Sequence, residues 1–190
     1  MVPTLLNRGE SMLGLELEEV KVMPYTEEWK REFELEKQRL ILLLNNDEIK
    51  IIHVGSTSIP GLSAKPIIDI AVGVMSKEQA YEVAKVLGDN NYEIKDSYEE
   101  KGEILASKKS GEKTTHFLHI EMVGSTYWNN FIYFKKYLLD HPEEVLVYEN
   151  LKQELSKKFA SDRRSYTKNK HDYISSVIEK SKQLYNITEC

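Results

Sequence analysis

Asp69 is the only charged side chain in residues 66–75, PIIDIAVGVM, a nearly continuous apolar run that reads as a strand buried on both faces. An ionised carboxylate in such a strand is costly unless a cation or hydrogen bonds compensate it. Strand alternation puts Ile67, Asp69, Ala71 and Gly73 on one face, and the two small residues beyond Asp69 leave room there for an ion or ligand. Upstream, a short strand over 49–54 runs into Gly55-Ser56 and a loop of small residues including Thr57, Ser58, Pro60 and Gly61. Such a loop can turn backbone N–H groups and a hydroxyl toward an anion, above all where a helical turn begins. Asp69 also has a purely structural reading, as a carboxylate capping a loop N–H, and the strand pattern leaves both open.

A second constellation is THFLHIEMVGS, residues 115–125, in which Phe117, His119 and Glu121 share one strand face. With Asp69 these would offer two carboxylates and an imidazole to a divalent ion; a solvated strand face is the alternative. Lys65 precedes the Asp69 strand, and Tyr166, Thr167 and Lys170 of YTKNK fall within about one helical turn of each other. They form either a phosphate or base clamp or an ordinary solvated helix surface. His53 and His141 read as structural. Trp29, Trp128, Phe131, Tyr133, Phe134 and Tyr137 read as core or interface.

The elements that must position these groups follow from periodicity. Trp29, Phe33, Leu40, Leu43 and Leu44 make an apolar stripe on a long helix that Thr26 can cap and that ends near Asn45-Asn46. Residues 76–87 predict a second helix stopped by Gly88, and short strands are expected over 92–95, 103–107 and 115–123, with Ser110-Gly111 turning a hairpin. Beyond Gly124 the pattern is helical: 126–140, then a helix restarted at His141-Pro142 and running to about 160, then one opened by Ser165 or Thr167. This predicts an α+β fold, a mixed β-sheet with packed helices and a C-terminal helical segment over about 126–185. Residues 1–18 have no clear period and are expected to be a flexible arm, leaving 19–185 as a single domain.

Composition narrows the function classes. With 26 basic against 31 acidic side chains the net charge is −5, which argues against a general nucleic-acid binder. No apolar stretch approaches the roughly 20 residues of a membrane span, and the N-terminus lacks a secretory core, so a cytoplasmic protein is expected. Cys190, the only cysteine, can form no internal disulfide. Charge is polarised: residues 10–36 hold nine carboxylates against three basic groups, whereas residues 150–190 hold nine basic groups against five acidic ones. The C-terminal segment is therefore a candidate anion-facing surface.

The run HVGSTSIPGLSAKPIIDI closely resembles the hallmark segment of the GrpB family, and the likeness continues through THFLHIEMVGS, through NNFIYFKKYLLDHPEEVLVYENLKQELSKKF and into YTKNK, about residues 20–181. That family is similar to the polymerase-beta-type nucleotidyltransferases, whose signature is a Gly-Ser pair after one strand and acidic residues on the next. The resemblance implies a nucleotidyltransferase-like fold, with Gly55, Ser56 and Thr57 at a nucleotide phosphate. Lys65, Tyr166, Thr167 and Lys170 would assist. It further implies Asp69 and Glu121 as catalytic carboxylates, and Asp69, Glu121 and His119 as ligands of Mg²⁺ or Mn²⁺. The partners would be a nucleoside triphosphate and a small-molecule acceptor receiving the nucleoside monophosphate. One departure stands out: the usual second carboxylate, two residues after the first, is Ala71. A catalytically degraded module that binds nucleotide or another anion in a regulatory role is therefore the alternative expectation. Where relatives often carry arginine the chain has Lys135 and Leu139. The chain also lacks a GxxxxGK[ST] phosphate loop and a G-x-S-x-G elbow, which removes kinase and serine-hydrolase readings.

Overall fold

The computed structural model describes residues 13–95 and 103–185. Five strands form one mixed sheet in the order β1-β2-β5-β4-β3, with β1 Lys50–Val54, β2 Ile68–Val74, β3 Glu93–Ile94, β4 Ile104–Ser110 and β5 Lys113–Met122. Only the central β2–β5 pair is parallel; the other pairings are antiparallel. A parallel neighbour needs a crossover, supplied here by the chain from the helix Lys77–Gly88 (α2) through the β3–β4 edge.

The period-2 division of β2 decides which layer lies where. Ile68, Ile70 and Val72 pack with Trp29, Phe33 and Leu40 of α1 (Glu28–Leu44) and Ala80, Val83 and Leu87 of α2 (Lys77–Gly88). The opposite face carries Asp69, Ala71 and Gly73, and Ala71 packs with Val54 against Trp128 of α3 (Thr126–Asp140). A Cβ at Gly73 would lie 2.6 Å from the Trp128 ring, so the small residues of this face are what let α3 approach. Helices α4 (Pro142–Lys158), α5 (Arg163–Asn169) and α6 (His171–Tyr185) complete this second layer. Tyr148, Phe134, Leu138 and Val177 enclose Ile59 and Leu62 of the loop between β1 and β2.

The helix ends show which signals acted. Thr26 Oγ1 accepts from the Glu28 amide at 3.3 Å, Ser76 Oγ from Gln79 at 3.2 Å and Ser125 Oγ from Trp128 at 3.1 Å. The expected stop at Gly88 is displaced: Gly88 is still helical, and the turn closes at Asp89. The expected last helix is two helices. Asp162, rather than Ser165 or Thr167, caps the first of them by accepting from the Ser165 amide at 2.9 Å, and the chain breaks at Lys170.

Residues 13–15 of the expected arm lie against the sheet. Residues 1–12 lie outside the described residues, but Leu13 and Leu15 are buried and Leu15 pairs with Thr114. Leu15 exchanges both backbone hydrogen bonds with Thr114 at the β5 end, at 3.1 and 2.9 Å, and the Gly14 amide donates to the Pro66 carbonyl at 2.7 Å, so the segment satisfies backbone groups the sheet leaves open.

Candidate functional site

The β1-to-β2 loop is built around Asp69. Gly55, at φ +68 and ψ −171, turns the chain into a 3-10 turn over Ser56–Ser58. A side chain at Gly55 would place its Cβ 2.6 Å from Asp69 Oδ2, so glycine is required both by its backbone angle and by the carboxylate beside it. Ser58 Oγ closes the turn by donating to the Gly55 carbonyl at 2.8 Å, and Thr57 Oγ1 lies 3.0 Å from His53 Nε2. His53 stacks on Phe33 and is held neutral by burial, which lowers it to about 4, so its structural reading holds. Lys135 donates to the His53 carbonyl at 2.9 Å and so braces β1.

On the α5 side of this loop lies a cavity of about 330 Å³. Ser56, Thr57, Asp69, Lys65, Tyr166, Thr167 and Lys170, separated by up to 114 positions in the chain, all line it, as does His119. Two further cations join them that the sequence reading did not single out, Lys152 of α4 and Arg163 of α5. Phe117, Leu105 and Ile67 give the cavity an apolar part. Three lysines, one arginine and His119 thus share one cavity in which Asp69 is the single carboxylate among the described residues.

Aromatic rings and burial hold the cations in place. Tyr166, almost fully buried, lies under two of them, with Lys170 Nζ 4.5 Å and Lys65 Nζ 5.4 Å from its ring centre. It is therefore a platform for the lysines. Lys152, 1% exposed, lies 4.7 Å from the Tyr148 ring and donates to the Ser63 carbonyl. Arg163 donates through Nη2 to the carbonyls of Glu16 and Glu19, at 2.7 and 3.1 Å, while its buried Nε has no protein partner. Burial, reinforced by the mutual repulsion of the group, lowers Lys65 to about 7 and Lys152 to about 7. Burial likewise lowers Lys170 to about 8, against the pull of Asp69.

Both missed cations had a signal. Lys152 sits four residues after Tyr148 and three before Leu155, a charge on the buried stripe of its helix, as Asp69 is a charge in an apolar strand. Arg163 opens a helix, where the macrodipole disfavours a cation.

Asp69 and His119 meet because the parallel register sets Asp69 beside Phe117 and Ala71 beside His119. His119 Nε2 lies 3.5 Å from Asp69 Oδ1, and Nδ1 lies 3.6 Å from Oε2 of Glu103, a residue that preceded β4 without a distinguishing pattern. Burial alone would depress this imidazole, but the two carboxylates outweigh it and raise His119 to about 9. Glu121 is not brought into the cavity. It pairs with Gly73, four residues or about 13 Å farther along the strands than Asp69. It is fully buried, and burial together with Glu103 raises its carboxyl pKa.

These positions bear on the expected metal. Mg²⁺ is bound through one or two carboxylates plus substrate oxygens, and needs those carboxylates on one point. Among the described residues Asp69 is the only carboxylate lining the cavity, Ala71 offers no donor, and His119 turns both nitrogens to carboxylates. Among the described residues, no group of three or more His, Cys, Asp or Glu side chains could hold a metal ion. The set Asp69, His119 and Glu121 does not fit a divalent centre.

A mixed α+β sheet carrying a glycine-serine turn and one carboxylate on the next strand defines the class of fold. The GrpB protein family model matches residues 19–180, and the chain belongs to that family. It is 33% identical over 171 residues to the glutamate-rich protein GrpB of Alkalihalophilus pseudofirmus, covering 88% of this chain and 98% of that protein. It is 32% identical over 164 residues to the UPF0157 protein YqkA of Bacillus subtilis, covering 86% of this chain but 48% of that longer protein. The crystal structure of conserved protein GrpB from Enterococcus faecalis superposes with TM-score 0.78 at 28% identity, over 87% of this chain and 99% of that one. A more distant partial likeness, TM-score 0.48 at 15% identity over 72% of this chain and 43% of that one, is to the structure of Cid1 in complex with its short product ApU. No helix of the described residues is long and apolar enough to cross a membrane.

Proposed function

We propose that this GrpB chain binds a phosphoanion of the nucleoside triphosphate class in the cavity between the Gly55-Ser56 turn and α5. One observation carries the reading: Lys65, Lys152, Arg163 and Lys170 line a cavity of about 330 Å³ in which Asp69 is the only carboxylate among the described residues. Holding four cations together without an anion costs stability, because each is desolvated and repelled by the others. A triphosphate carries compensating charge and many acceptor oxygens, while Phe117, Leu105 and Ile67 suit a base or other apolar portion. The chain then acts as a binding, regulatory module. The second reading, transfer of the nucleoside monophosphate to a small-molecule acceptor, is favoured by Asp69 standing beside Ser56. There Asp69 would take the proton of the acceptor hydroxyl as its oxygen bonds to the alpha-phosphorus and pyrophosphate leaves.

Thermal unfolding with ATP and with inorganic triphosphate tests the proposal. A ligand at about 100 times its Kd stabilises by roughly 2.7 kcal/mol, a Tm rise of about 5–10 °C for a chain of this size. The rise is expected for the wild type and is expected to vanish for Lys152→Met and Lys170→Ala. A wild type insensitive to both ligands overturns the reading, and pyrophosphate release that depends on a small acceptor alcohol would favour transfer.

A further inference from the structure

β1 lies at one edge of the sheet, paired with β2 alone, and among the described residues no strand covers its outer side. In an antiparallel strand each residue sends its amide and carbonyl to the same side, and alternate residues share that side. The His53 carbonyl points outward, where Lys135 Nζ donates to it at 2.9 Å, so the His53 amide and both main-chain groups of Ile51 belong to the outer edge as well. Two cavities flank this edge. One, of about 410 Å³, reaches Tyr25 and Phe33 on the α1 side, and the other, of about 290 Å³, reaches Phe131 and Ile132 of α3. Both are lined by Ile52, His53, Lys135 and Leu139, so they form one groove along β1 with a chamber on each face of the sheet. An added strand has this form, because its successive side chains alternate between the two faces.

We propose that this groove docks an extended acidic segment of a partner protein, which joins the sheet as one further strand beside β1. The Ile51 amide and carbonyl and the His53 amide supply the main-chain pairing, and the two chambers take the segment's alternate side chains. Charge decides the class of occupant. Lys30, Lys37, Lys135 and Lys136 line the groove against Glu34 and Asp140, and Asp140 is already paired with Lys136 at 3.0 Å. The groove is therefore net positive on a chain whose net charge is −5, and it complements carboxylates. Leu139, 47% exposed, leaves an apolar wall open between the lysines for the segment's uncharged side chains.

A second copy of the chain fits this edge poorly, because two copies joined β1 to β1 would set the same lysines against each other. Lys135 accounts for the edge of the empty protein: by holding the His53 carbonyl it blunts the strand against indiscriminate pairing and leaves three main-chain groups for a segment that brings its own negative charge. The groove is distinct from the phosphoanion cavity. Ser58 and Pro60 line the groove and Ser56 lines the cavity, with Thr57 of the same turn between them. The inference therefore stands or falls independently of the phosphoanion reading.

The experiment selects linear peptides from a random display library on the immobilised full chain and titrates the recovered peptides, synthesised with capped ends, by calorimetry. Acidic sequences are expected, and binding should weaken by about tenfold or more in the double variant Lys30→Glu, Lys37→Glu. Each peptide is also made N-methylated at every second residue, in both alternations. One alternation removes the amides that face β1 and should weaken binding by about tenfold or more, and the other should leave it within about twofold. Because this change lies in the peptide alone, it decides the matter even if the double variant fails to fold. Slowed hydrogen exchange of the Ile51 and His53 amides in the complex is expected. Recovery of no peptide, of basic or uncharged peptides, or of peptides indifferent to both N-methylation patterns overturns the inference. So does binding that Lys170→Ala abolishes or inorganic triphosphate displaces, which would place the peptide in the phosphoanion cavity. Dimerisation of the peptide-free chain with the Ile51 and His53 amides protected would assign the edge to a second copy and overturn it too.

Discussion

Raising the pH from 7 to 9 should weaken phosphoanion binding steeply, and the site's own lysines set the size of the effect. In the empty cavity burial holds Lys65 and Lys152 at about 7 and Lys170 at about 8. An anion seated among them supplies the counter-charge that burial removed and draws their pKa values back toward the ordinary lysine value of about 10.4. The bound state then holds more protons than the free state, so affinity falls as pH rises. A single lysine moving from about 7 to its ordinary value loses about 50-fold in affinity between pH 7 and 9, and three shifting together would lose more. At pH 8 the three lysines should take up about two protons per ligand bound. Titration calorimetry with inorganic triphosphate in two buffers of different ionisation enthalpy reads that number directly. Ionisation of the ligand's own phosphates would strengthen binding with rising pH and so cannot imitate the fall in affinity. Proton release, or an affinity independent of pH from 7 to 9, would refute the premise that the lysines await an anion.

The same lysines set two further expectations for the empty protein, and the loop adds a third. Lys152→Met should stabilise the ligand-free chain at pH 7 by about 1–4 kcal/mol, a Tm rise of roughly 2–16 °C by calorimetry, because a buried cation without an anionic partner is exchanged for an apolar side chain of similar length. A lower Tm would mean that its bond to the Ser63 carbonyl outweighs the desolvation. Because the folded pKa values lie below the unfolded ones, wild-type stability should climb between pH 7 and 10, with a shallower climb in Lys152→Met, measurable by urea unfolding at each pH. Gly55→Ala should cost about 1–3 kcal/mol for the backbone angle alone, with a further cost from displacing Asp69, so that Tm drops by several degrees. An unchanged Tm would show that the turn can relax away from the carboxylate.

Local signals made most of the framework legible. The stripe of Trp29, Phe33 and Leu40, the cap at Thr26, and the boundaries Thr126–Asp140 all act within a few residues, where periodicity and turn chemistry operate. The alternation of β2 likewise put Asp69, Ala71 and Gly73 on one face, as the packing against Trp128 bears out. Asp69 was legible as a site candidate because it breaks an apolar strand, Gly55-Ser56 because a small-residue loop follows a strand there, and Lys65 and the YTKNK residues by their position and the family resemblance. Register and inter-helix placement were not legible, because they depend on which strands pair and how far they slide. Register made His119 a neighbour of Asp69 and carried Glu121 away from it, although both share a face of β5.

Sequence by itself therefore determined the α+β framework, the face on which Asp69 stands and the cationic character of the C-terminal segment, since these follow from residue type and spacing. Only the tertiary structure decided that Lys152 and Arg163 join Lys65 and Lys170 around one cavity, and that Glu103 holds the far side of His119. Charges more than a hundred residues apart repel or complement one another according to distance and burial, and both quantities exist only once the helices have packed across the sheet.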